Sequence, residues 1–129
     1  MFSVVRRDIA DVEPIIRLPG AASLALGSVA KLVSGSLAKA GATDTPTHVI
    51  MGPRAADGTY PVIRILPTTE FATEATATVA ATLIGQKVTL NTDALSVTAT
   101  TASGVFTITT TDGDKQVTGR FLPTASPAA

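Results

Sequence analysis

The chain has 129 residues, 10 basic and 10 acidic side chains for a formal net charge of zero, and no cysteine. That length holds one ordinary domain or two very small ones and excludes a large multidomain enzyme, and the missing thiols exclude disulfide stapling, thiol catalysis and thiolate metal sites together. Charged residues are only 16% of the chain and balance within each half, so no cluster of uncompensated Lys and Arg is present to bind a nucleic-acid backbone.

The hydrophobic share of 45% overstates the core, because 21 of those residues are alanine and only 34 are Leu, Ile, Val or Phe. A thin core under a neutral surface suits a subunit partly completed by its neighbours, since net charge away from zero is what usually keeps copies apart. The plainer reading is a poorly charged monomer.

In chain order, residues 1–20 form an N-terminal arm set apart by Arg6, Arg7, Asp8, Asp11 and Glu13 and by Pro14, Pro19 and Gly20. Val5, Ile9, Val12 and Ile16 fall at helical spacing and are the candidate partner-contact residues. Pro14 interrupts that spacing, which leaves a short helix and an extended arm both open. The early charges fill the stretch where a signal peptide needs its apolar segment. No run approaches the ~18 apolar residues of a membrane span, so an intracellularly made, soluble protein with no membrane partner is expected.

Residues 21–75 read as a β unit of short apolar stretches punctuated by glycine. Val29–Val33 and Leu37–Ala40 flank Ser34-Gly35, and His48–Met51 precedes Gly52-Pro53. Asp57-Gly58 is a hairpin signal before Tyr60–Leu66. The Thr- and Ala-rich stretch from Pro67 to Thr82 can be a linker, an exposed strand or a short helix ended by Gly85, and the expectation is a connection that becomes strand near Val79. A second β unit occupies 76–122, with strands at Gln86–Leu90, Leu95–Thr100, Val105–Thr111 and Gln116–Phe121. Residues 123–129 read as a disordered tail. Turn signals about every 8–12 residues indicate a mainly β fold, a small barrel or sandwich-like body of short strands. Whether the two β units are one body or two is open at this stage.

The search for chemistry is short. His48 is the sole histidine, which rules out a two-histidine metal site. Its place at the start of an apolar strand reads as structural, and no Gly-x-Ser-x-Gly elbow accompanies it. Asp112 and Asp114 flank Gly113 but lack the twelve-residue calcium pattern ending in Glu. Glu70 and Glu74 have no evident pKa-shifting surroundings. "GSVAKLVSG" lacks the Gly-Lys-Ser/Thr ending of a phosphate loop, and aromatic content of 4% with no Trp leaves few stacking platforms for bases or sugars. No catalytic, cofactor-binding or metal-binding residue is nominated, and no enzymatic activity is expected.

Residues 20–74, "GAASLALGSVAKLVSGSLAKAGATDTPTHVIMGPRAADGTYPVIRILPTTEFATE", combine a Leu-x-x-Gly-x-x-x-x-Leu-x-x-Gly rhythm with the strand Thr-Asp-Thr-Pro-Thr-His-Val and an Asp-Gly hairpin. This pattern resembles the small capsid decoration, or cement, proteins of tailed bacteriophages. The stretch "IGQKVTLNTDALSVTATTASGVFTITTTDGDKQVTGRF" is similar to the C-terminal β unit such proteins often carry. The resemblance, over residues 20–122, implies a structural protein on the outside of a phage head that bridges neighbouring major capsid subunits. It also implies a homotrimer, made in the host cytoplasm and residing on the virion surface, with no nucleic-acid partner. The alternatives are a phage tail-tube or fibre component, and a non-viral β-sandwich binding or adhesion module.

Overall fold

A computed structural model describes residues 1–7, 15–66 and 68–121, and over these the chain is mainly β, two five-stranded antiparallel sheets in a sandwich-like arrangement with no closed barrel. The strands are β1 (Ser3–Arg7), β2 (Ile16–Pro19), β3 (Val29–Val33), β4 (Ser36–Lys39), β5 (His48–Ile50), β6 (Thr59–Arg64), β7 (Thr69–Glu74), β8 (Lys87–Val88), β9 (Phe106–Thr111) and β10 (Gln116–Phe121), with one 3-10 turn at Ala81–Leu83. The first sheet has the order β1-β7-β10-β9-β8 and the second β2-β6-β5-β3-β4.

Local turn chemistry explains the hairpins. Ser34 and Gly35 both take positive φ, 51° and 80°, the requirement of a type I′ turn, whose twist matches the strands it joins. At the β9–β10 turn the Asp112 carboxylate accepts hydrogen bonds from the amides of Asp114 (2.8 Å) and Gln116 (3.2 Å). That is a turn-forming role, as expected for an Asp-Gly-Asp triplet.

The pleat of the second sheet divides its residues between two cores. Val29, Val49 and Ile63 join a cluster with Phe2, Phe71, Phe106 and Phe121 of the first sheet. Ala30, Leu37, Ile50, Tyr60 and Val62, on the opposite face, form a separate cluster with Leu18 and Leu24 packed against it. Such a face would normally be wet in an antiparallel sheet. Here the sheet curls until Gly20, just past β2, bridges Leu37 on β4, and the curl encloses the face. The Tyr60 hydroxyl fastens the covering loop, donating to the Ala21 carbonyl (2.8 Å) and accepting from the Leu24 amide (3.1 Å).

Between the sheets the four phenylalanines make one aromatic group, with neighbouring ring centroids 5.0 to 5.7 Å apart and most pairs edge-on. This geometry suits the ring quadrupole and adds about 0.5–1.5 kcal/mol per pair beyond burial. Gly119 permits the close strand contact beside it. A Cβ there would stand 2.2 Å from the Thr107 carbonyl oxygen and 2.6 Å from the Phe106 ring, next to a register shift in the β9–β10 ladder.

Several expectations change. Thr69–Glu74 is not a connection but a strand paired on both sides, with β1 and with β10. Its inward Phe71 and Thr73, followed by buried Ala75 just past its end, alternate with outward residues, a period that small Thr and Ala side chains disguise. Val79 is buried yet lies outside any strand, its amide donating to the Asp114 carbonyl. Leu95–Thr100 is turn and loop, joined to its surroundings by isolated bridges at Val97 and by a hydrogen bond from Thr73 Oγ1 of β7 to the Leu95 carbonyl (3.2 Å), and the strand expected at Gln86–Leu90 shrinks to Lys87–Val88. The chain changes sheet between β1 and β2 and again between β6 and β7, rather than at the composition boundaries 20/21 and 75/76. The inter-sheet cluster draws on both sheets, so they share a core. Residues 123–129 lie outside the described residues.

Candidate contact surface

The two sheets leave one side of their shared core open, where β1 borders the first sheet and the Leu26–Gly27 turn and Met51 border the second. A cavity of about 230 Å³ enters there. Its buried lining includes Phe2, Val49, Ile63 and Phe71, while Met1, Val4, Leu26 and Met51 stand at its mouth with 39 to 58% of their surface exposed. Among the described residues, no charged side chain lines it.

Backbone bonds assemble this opening from distant parts of the chain. The Phe2 amide donates to the Gly27 carbonyl (3.0 Å), and the Gly27 amide donates to the Ile50 carbonyl (2.8 Å). The amino terminus of Met1 donates to the Leu95 carbonyl (2.6 Å). Gly27 has φ +80°, and a Cβ on it would fall 1.8 Å from Met1 Cγ. Glycine is therefore needed for both the turn and the close approach.

The edges of the sheets do not offer long pairing surfaces. β1 carries a bulge between Val4 and Arg6, β8 is two residues long with an exposed lysine, and the curl brings β2 and β4 together. Bulges, charge and short strands are the devices that discourage strand addition. Little open backbone is thus left at these edges for the addition of a further strand.

Of the four residues with helical spacing, Val5 lies at the β1 bulge with 48% of its surface exposed, and Ile16 lies in β2 with 39% exposed. They belong to different sheets, so they share no helical face. Ile9 and Val12 lie outside the described residues. Val5 adjoins the cavity mouth through Val4, but Met1, Leu26 and Met51 escape sequence reasoning because each looks like an ordinary strand-end apolar residue. The only local hint is the glycine after Leu26 and after Met51.

His48 sits in β5 with 6% exposure, its Nδ1 paired with Thr47 Oγ1 at 2.8 Å. Burial first, and the Arg64 charge second, hold its pKa below the usual imidazole value. Glu70 is buried on the outward side of β7, where Thr109 Oγ1 donates to it (3.2 Å) and the Arg120 guanidinium lies 3.9 Å away. Among the described residues no group of three or more His, Asp or Glu is placed to hold a metal ion, and no helix is long and apolar enough to cross a membrane.

Comparison with known proteins returns no matching family model, no matching curated protein and no matching solved structure.

Proposed function

We propose that this chain is a structural decoration protein of a tailed-bacteriophage head, non-enzymatic and without a cofactor, that binds the outer surface of the major capsid lattice and bridges neighbouring subunits as a trimer. The observation that carries the reading is the apolar opening between the sheets, where the side chains of Met1, Val4, Leu26 and Met51 surround a cavity on a chain of zero net charge. Exposed apolar groups gathered at one place on a small protein mark an interaction site. The blunted sheet edges fit docking by side chains. Many such contacts, each weak, clamp a lattice through multivalency, because every contact made raises the effective concentration for the next.

The proposed contact surface is the cavity mouth with Val5 beside it. Deletion of residues 2–17 is a poor probe, since it removes Phe2 from the core and takes β1 and part of β2 with it. The test is to mix the purified full chain with expanded empty capsids built from the major capsid protein encoded beside its gene, and to count bound copies. Saturable, stoichiometric binding supports the reading. Failure to bind, with assembly into rings or fibres, assigns the chain to a tail structure. Strong, specific hits on a glycan array assign it to an adhesion module.

A further inference from the structure

We propose that Met1 and Met51 are a paired oxidation site at the mouth of the inter-sheet cavity: hydrogen peroxide converts both thioethers to sulfoxides on the folded chain, and the polar rim so formed shuts apolar groups out of the opening. The consequence for a partner rests on the reading of this opening as the contact surface, whereas the oxidation and its effect on the cavity do not.

The chain has two methionines and no cysteine, so all of its sulfur stands at this one place. Both methionines line the cavity, with 58 and 42% of their surface exposed. They are remote in sequence, and Gly27 joins them. Its carbonyl accepts from the Phe2 amide (3.0 Å) and its amide donates to the Ile50 carbonyl (2.8 Å). The Met1 side chain lies over it so closely that a Cβ there would fall 2.5 Å from Met1 Sδ. The rings that stronger oxidants attack are absent or hidden: the chain has no Trp, and Tyr60 and His48 are buried.

The step is a transfer of one oxygen atom. A sulfur lone pair attacks one oxygen of the peroxide, and the S–O bond forms as the O–O bond breaks. Sulfur is oxidised and the peroxide reduced; the departing hydroxide takes the proton of the transferred oxygen and leaves as water. A flexible apolar side chain becomes a polar, chiral one, the change that disrupts methionine-rich contact surfaces.

The surroundings decide where the new oxygen goes. Phe2, Val49, Ile63 and Phe71 make the buried lining, and their side chains carry no hydrogen-bond donor for it. Burying a polar group without a partner is costly, so each sulfoxide faces water and holds its hydration shell across the mouth. Neither methionine belongs to either buried cluster, so the body keeps its fold.

The experiment treats the full chain and Met51→Leu with dilute hydrogen peroxide at neutral pH, and follows peptide masses, melting temperature and the entry of benzene. Apolar cavities of about 150 Å³ take up benzene, so NMR shifts of the Val49 and Ile63 methyl groups during a benzene titration report on this cavity with no partner present. The wild type should gain one oxygen at each methionine, keep its melting temperature and lose at least about tenfold in benzene affinity. Met51→Leu, a swap that nearly conserves volume, should gain oxygen at Met1 alone and retain more of its benzene affinity. Sulfoxides that form only after unfolding, unchanged benzene affinity in the doubly oxidised chain, or no benzene entry before oxidation overturns the proposal. Empty capsids separate the two readings. Absence of binding by the unoxidised chain counts against the proposed function alone, and equal binding before and after oxidation counts against this proposal.

Discussion

The two buried clusters of this molecule are built on different principles. The inter-sheet cluster contains all four phenylalanines and spans both sheets, so ring packing carries it. The cluster inside the curled second sheet contains five buried residues and a single aromatic, Tyr60, and it is closed by hydrogen bonds from that hydroxyl to a covering loop. With only 34 large apolar residues in the chain, the bulk goes where two sheets must be joined, and a polar latch serves where one sheet only needs to fold over itself. The difference implies that the first cluster sets global stability and the second sets local order.

The largest expected effect is therefore at the aromatic group. Phe121 is 2% exposed and its ring meets those of Phe2, Phe71 and Phe106. Phe121→Ala should cost about 3–5 kcal/mol, the usual range for a buried aromatic replaced by alanine, with both sheets melting together in urea. A smaller, local change is expected at Tyr60. Tyr60→Phe keeps the ring but leaves the Ala21 carbonyl and the Leu24 amide without their partner, at a cost of about 1–3 kcal/mol. Its exchange signature should be confined to residues 20–27, and a response spread over the first sheet would break the distinction between the clusters.

The smallest effect belongs to the Lys31–Asp44 pair, whose side chains are 37 and 38% exposed. Lys31→Ala should cost no more than about 0.5 kcal/mol after solvent screening, and less in high salt. The Lys31 hydrogen bond, and then that of the Gly41 amide, hold the Asp44 pKa below its ordinary 3.8. The contribution of this pair is thus complete above that value and lost as the pH falls through the depressed one. Urea titrations between pH 6 and pH 2.5, with and without Lys31, check both points.

The same contrast between local and distant determinants explains what could be read from the residues alone. Fold class and the hairpins at Ser34-Gly35, Asp57-Gly58 and Asp112-Gly113 were legible because turn geometry is set by two or three neighbouring residues. β7 was not, since its buried face mixes Phe71 with Thr73, with Ala75 just past its end, and Thr-Ala text reads equally as linker. Nor was the place of residues 3–7, because β1 pairs with a strand more than sixty positions away. The cavity mouth is the extreme case. Met1, Val4, Leu26 and Met51 meet only through backbone bonds between remote loops, and nothing in their spacing announces that meeting.

One comparison bears most directly on the proposed function: sedimentation of expanded empty capsids with the wild-type chain and with Met51→Asp. Met51 is 42% exposed, so the substitution places a charge at the cavity mouth without emptying the core. The wild type should saturate the capsid at a fixed copy number, and the variant should keep its melting temperature while losing at least about tenfold in affinity, the effect of roughly 1.4 kcal/mol. Absence of wild-type binding, or equal binding by the variant, would contradict a decoration protein that docks through this opening.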